Sequence, residues 1–87
     1  LITKPGVLDL AFISRGAAEI MEVEITDKSK IAGKRVKEIE HPAGSSIIAL
    51  IDGKNLTIPE GDTIVQSGQK ILILAKREIA EKVRQLL

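Results

Sequence analysis

His41 is the only candidate general base in this 87-residue chain, and it stands directly before Pro42. A histidine needs an oriented partner and a nucleophile before it does acid–base work. None of Ser14, Ser29, Ser45, Ser46 or Ser67 lies in a Gly-x-Ser-x-Gly elbow. Cysteine is absent, so thiolate nucleophiles, thiolate metal sites and disulfides are excluded. Glu19, Glu22 and Glu24 are closely spaced, but a hard cation needs six or so converging oxygens, and one strand presents only Glu22 and Glu24 together. No metal site is expected. Gly33-Lys34 and Gly53-Lys54 are isolated dipeptides; neither phosphate-cradling glycine fingerprint is present. Lys28, Lys30, Lys34, Arg35 and Lys37 form the most basic segment. It reads first as a solvated face and second as a phosphate-facing patch. These residues predict a protein that is not an enzyme.

The totals narrow the class further. Thirteen basic residues nearly balance twelve acidic ones, and Phe12 is the only aromatic. Nucleic-acid binding is disfavoured, because neither a basic excess nor a stacking platform exists. No apolar run approaches the ~20 residues of a membrane span, and no secretory signal is expected. The length predicts one domain, and one this small buries only about 60% of its unfolded surface.

The elements that would position these residues centre on residues 45–75. Apolar runs at 47–51 and 71–75 bracket three turn signals. Asp52-Gly53 predicts a type I′ hairpin turn, Pro59-Glu60-Gly61-Asp62 a second turn and Gln66-Ser67-Gly68-Gln69 a third. The expectation is a small antiparallel meander, with shorter strands at 55–58 and 63–65. Runs without alternation imply strands covered on both faces. The helices are too few and short for that, so a second copy of the chain is expected to cover part of the sheet.

Residues 5–15 read as a helix, with Pro5 at its first turn, Gly16 past its end and Val7, Leu8, Ala11 and Phe12 along one side. Residues 18–26 alternate, with Met21, Val23 and Ile25 opposite Glu22, Glu24 and Thr26, which predicts a half-buried strand. Ile31, Ala32, Val36 and Ile39 recur at helical spacing, with the regular part over 34–39 and a stop at His41-Pro42. Ile79, Ala80, Val83, Leu86 and Leu87 form the apolar stripe of an amphipathic helix over 77–87 that docks on the sheet.

Several local patterns together resemble one family. They are the acidic strand 19–25, Ser29-Lys30-Ile31-Ala32-Gly33-Lys34, residues 47–53, Ile58-Pro59-Glu60-Gly61-Asp62-Thr63 and Gly68-Gln69-Lys70-Ile71. In order and spacing they resemble the RCK C-terminal (TrkA-C) domain of Trk/Ktr-type potassium-uptake regulatory proteins, over residues 20–87. The resemblance implies an α+β fold, β-α-β-β-β-α, with a small, mainly antiparallel sheet and a C-terminal helix packed on it. Residues 1–17 would be the linker helix and 18–87 the domain.

That resemblance implies a regulatory, ligand-sensing and dimerising domain of a potassium transport system, placed in the cytoplasm at the inner face of the membrane. It would act on a membrane potassium transporter subunit through an RCK N-terminal domain, and NAD(H) or ATP is expected only on that other domain. No cofactor is assigned to this chain. Some family members bind cyclic di-AMP between two such domains. Ile39, His41, Ser46, Ile47 and Pro59 are the matching positions here for that or another small anionic ligand. Ile47, Ile48 and Leu50 are expected at the interface of a homodimer or higher homo-oligomer. Asp52 stands where many relatives have Arg before the hairpin Gly, and Gly68-Gln69 where many have Gly-Asp. The alternatives are a pure oligomerisation module, or the sensor of another cation antiporter or an anion transporter.

Overall fold

Strand β5, the last in sequence, lies at the centre of the sheet. The computed structural model describes the backbone of residues 7–86 and side chains from residue 12 onward. Its strands are β1 (Val7–Ile13), β2 (Ala18–Glu24), β3 (Ser45–Asp52), β4 (Asn55–Thr57) and β5 (Lys70–Lys76), followed by helix α1 (Arg77–Leu86). The order is β1-β2-β5-β3-β4, and every neighbouring pair is antiparallel. The α+β class is as expected, but the meander is not. A meander would place β4 between β3 and β5. Instead β3 pairs β5 directly, and β4 hangs on the outer edge of β3.

Residues 7–13 form a strand where a helix is expected. Ser14 and Arg15 both adopt positive φ (52° and 58°), and Gly16 N–H donates to the Ile13 carbonyl at 3.1 Å. With Gly16 at φ 90°, three consecutive left-handed residues form a four-residue loop between the paired Ile13 and Ala18, which returns the chain antiparallel along β2. Val7, Phe12 and Ile13 are residue types that favour an extended chain. Pro5, the expected helix start, lies outside the described residues, as does Leu87.

The helix expected over 34–39 shrinks to a single 3-10 turn, Val36–Glu38. Hydrogen bonds across the chain replace its ladder. Gly33 N–H donates to the Val65 carbonyl, Val65 N–H to Lys34 and Val36 N–H to Thr63, at 2.7, 2.9 and 2.8 Å. These bonds hold Arg35 extended in an isolated bridge to Ile64, which is all that remains of the strand expected at 63–65.

The turn chemistry is close to expectation. Gln69 N–H donates to the Gln66 carbonyl, with Gly68 at φ 92°, a type II arrangement that needs Gly. In the β3–β4 hairpin Asp52 pairs with Asn55, so the loop is Gly53-Lys54, with positive φ at Gly53 alone. That is type II′ rather than I′.

The core lies on one face of the sheet, under α1. Met21, Val23 and Ile25 of the β2 segment, Leu50, and Ile71, Ile73 and Ala75 of β5 meet Ala80 and Val83 of α1. Ile39 and Val65 close the cluster from the connecting loops. Each full burial of an Ile or Val side chain contributes about 1.5–3 kcal/mol. The alternate residues face the other way. Ile20, Ile51, Leu72 and Leu74 are half-buried there, and no described helix lies over them. The continuous apolar runs thus face both sides of the sheet, and the described residues cover only one of them.

Candidate functional site

Beside the core, the loop after the 3-10 turn, the start of β3 and the last turns of α1 enclose a cleft. Ile31, Ile39, Ile47, Ile71, Ile73 and Val83 make its walls, with Leu86 and Pro42 at the side. Glu40, His41 and Ser46 stand at its rim. It encloses about 390 Å³, open solvent included. An apolar interior with a few polar groups at the mouth is the usual make-up of a small-molecule site.

The loop is rigid at its polar rim. The Pro42 carbonyl accepts from Ser45 N–H at 3.1 Å and from Ser45 Oγ at 2.6 Å. His41 Nδ1 lies 3.0 Å from Ser45 Oγ. The serine hydroxyl has a single proton, spent on Pro42, so Nδ1–H donates to Ser45 Oγ. That assignment leaves Nε2 free to meet a ligand. Gly44, at φ 92°, makes the reversal into β3, and its carbonyl accepts from Lys76 N–H at 2.9 Å.

Four of the five residues expected to bind ligand line this cleft: Ile39, His41, Ser46 and Ile47. Pro59 does not. It lies on the segment beside Lys37, where Lys37 Nζ meets Asp62 Oδ1 at 2.7 Å and Lys37 N–H donates to Gly61. Of the expected interface residues, Leu50 is 4% exposed and belongs to this chain's own core. Ile47 packs against that core, and Ile48 sits half-buried where the β3–β5 register shifts.

The acidic stretch separates. Glu19 lies on the core side, 6% exposed, while Glu22 is on the opposite face with Lys70 Nζ 3.8 Å away. Arg84 Nη1 reaches Glu19 Oε2 at 2.5 Å, and Arg84 Nε reaches Glu81 Oε2 at 2.8 Å. These contacts raise the Arg84 pKa above its ordinary value, the hydrogen bond it donates to Glu81 most of all. Sequence reasoning missed this pair. The only signal was parity, since Glu19 shares the alternation of Met21 and Val23. Among the described residues no group of three or more His, Cys, Asp or Glu side chains could hold a metal ion. None of the described helices is long and apolar enough to cross a membrane.

Comparison with solved structures defines the class. The crystal structure of the GsuK RCK domain matches 93% of this chain and 18% of its own, with a TM-score of 0.78 and 24% identity. A structure of an RCK domain with cda matches 78% of this chain and 96% of its own, with a TM-score of 0.64 and 16% identity. The fold is that of RCK domains.

The family model of the TrkA-C domain matches residues 20–87, and the chain belongs to that family. A Trk system potassium uptake protein TrkA homolog of Pyrococcus horikoshii is 38% identical over 87 residues, spanning 99% of this chain and 38% of the relative. The Trk system potassium uptake protein TrkA of Halomonas elongata is 30% identical over 88 residues, spanning 95% of this chain and 19% of the relative. The chain therefore spans less than two fifths of these relatives.

Proposed function

We propose that this chain is a regulatory, ligand-sensing domain of a Trk-type potassium uptake system. It acts without catalysis, on a membrane subunit, through an RCK N-terminal domain. Family membership supports the regulatory role, and the cleft between His41, Ser46 and α1 is the observation that carries the sensing role. Its apolar walls suit a nucleobase, whose N–H groups can donate to His41 Nε2, and the exposed Ser46 hydroxyl at the rim is offered to an anionic group. Much of its 390 Å³ is open solvent, so the cleft of one chain is shallow and holds only part of a dinucleotide. A second copy of the chain supplies the remaining wall. The ligand then acts by its preference for one arrangement of the two copies over another.

Titration calorimetry with cyclic di-AMP tests the reading. Saturable heat at half a ligand per chain, lost in Ile47→Glu, is expected; silence at millimolar ligand would remove this ligand. The uncovered sheet face bearing Ile20, Leu72 and Leu74 favours a second reading, a domain that only joins copies. In that case Ile48→Glu abolishes association and no ligand has any effect.

A further inference from the structure

Four cations in one short loop have no part in the cleft, the core or any ion pair among the described residues. They are Lys28, Lys30, Lys34 and Arg35, all exposed. The loop cannot turn them inward. Ile31 and Ala32 pack against the core, and three backbone bonds wind the segment tightly: Ser29 N–H to Thr26, Ala32 N–H to Ser29 and Lys34 N–H to Ile31, at 2.9, 3.1 and 3.1 Å. The bonds between Gly33, Lys34 and Val65 pin its end. With the apolar side chains held inside, the cations share the solvent side. Carboxylates nearby leave the charge largely uncancelled. Asp27 is the single acid of residues 27–35, and Glu38 Oε1 is turned back onto the Arg35 N–H at 2.9 Å. Lys37, next along, is neutralised by Asp62 and is not counted.

Beside these cations a shallow hollow opens onto the edge of the core, with Val23 and Ile25 buried at its floor and Leu86 exposed at its side. Ile31 also lines it, Ser29 and Lys30 stand on its lip, and Leu86 is 48% exposed. We propose that this loop is a docking surface for anionic phospholipid headgroups, with Leu86 entering the boundary between headgroup and acyl chain. Four clustered Lys and Arg side chains beside an apolar hollow complement the diffuse negative field of such a surface. A shaped partner fits less well. The loop offers no cleft to an acidic peptide, and the lone aromatic, Phe12, gives a nucleic acid nothing to stack on. The hollow shares Ile31 and Leu86 with the cleft, but the contact needs no occupant of the cleft, so vesicle binding is read without ligand.

Co-sedimentation of the 87-residue chain with vesicles tests it. Binding is expected to vesicles of equal parts phosphatidylglycerol and phosphatidylcholine, and not to phosphatidylcholine alone. It should fall steeply as salt rises from about 0.1 M to about 0.5 M. The triple variant Lys28→Glu, Lys30→Glu, Lys34→Glu should bind about a hundredfold more weakly, at roughly fivefold per lysine. Lys54→Glu, Lys76→Glu, Lys82→Glu carries the same change of net charge elsewhere and should keep most of the binding. Circular dichroism checks that both variants fold. Equal loss in both triples, or binding undiminished in the first, overturns the proposal. So does equal binding to neutral vesicles. Saturable shifts of the loop amides with inorganic phosphate, without vesicle binding, would assign the cations to a free anion and overturn it too.

Discussion

Arg84 on α1 and Glu19 on β2 are joined side chain to side chain across 65 residues of sequence, at 2.5 Å. Glu19 is the one charged residue buried among those described, so its carboxylate depends on that partner. Removing the partner of a buried charge costs more than the pair itself contributes. Arg84→Ala should therefore destabilise the domain by about 3 kcal/mol, and Arg84→Ala with Glu19→Gln by clearly less. Urea denaturation of the four-member cycle measures both.

The same pair sets a pH expectation. The raised Arg84 pKa means that its stabilising charge is complete at every pH below the ordinary guanidinium value, and is lost only as strong alkali exceeds the raised one. Melting temperature followed through neutral and moderately alkaline solution should show no loss traceable to Arg84. An alkaline melt that disappears in Arg84→Met would contradict this.

Gly68 holds φ 92° in its turn with open space around it, so backbone strain alone decides a substitution there. Gly68→Ala should cost about 1–2 kcal/mol in thermal or urea unfolding. An unchanged midpoint would mean that the turn between residues 66 and 69 is made differently.

Ser14 and Arg15 have left-handed backbone without being Gly or Asn. Replacing them by Asn-Gly, residues that accept left-handed backbone more readily, should stabilise the β1–β2 hairpin by about 0.5–1 kcal/mol. Hydrogen exchange of the Ala17 and Ala18 amides would report it as slower opening.

Leu50 and Leu74 separate folding from association. Leu50 is enclosed by its own chain, whereas Leu74 lies on the uncovered face. Leu50→Glu should unfold the domain. Leu74→Glu should leave it folded by circular dichroism, and any association of the unchanged chain seen in sedimentation velocity should be lost in the variant.

Most of the local structure was legible in the sequence, and most of the long-range pairing was not. The period-two pattern of Met21, Val23 and Ile25 places β2, and the stripe Ile79, Ala80, Val83 places α1. Gln66-Ser67-Gly68-Gln69 forms its turn at the expected residues, because Gly68 alone tolerates the conformation. Residues 7–13 and 34–39 mislead for one reason. Apolar spacing of three and four is compatible with a helix, but the outcome belongs to partners far along the chain, Ala18 to Val23 in one case and residues 63–65 in the other. The cleft is legible only in part. Ile39, His41, Ser46 and Ile47 follow from family likeness, whereas Val83 and Leu86 reach it through the docking of α1 and Ile31 through the fold of the loop after β2, which no local pattern encodes.

The central place of β5 has a consequence for synthesis. β2 and β3 share no ladder, and each finds its long partner only in residues 70–76. During synthesis the domain thus exposes two unmated halves until residues 70–76 have emerged, and closure is a late, all-at-once event. Translation stalled before Lys70 should leave a species that chaperones hold and proteases cut, whereas release past Leu86 should permit the sheet to close under α1.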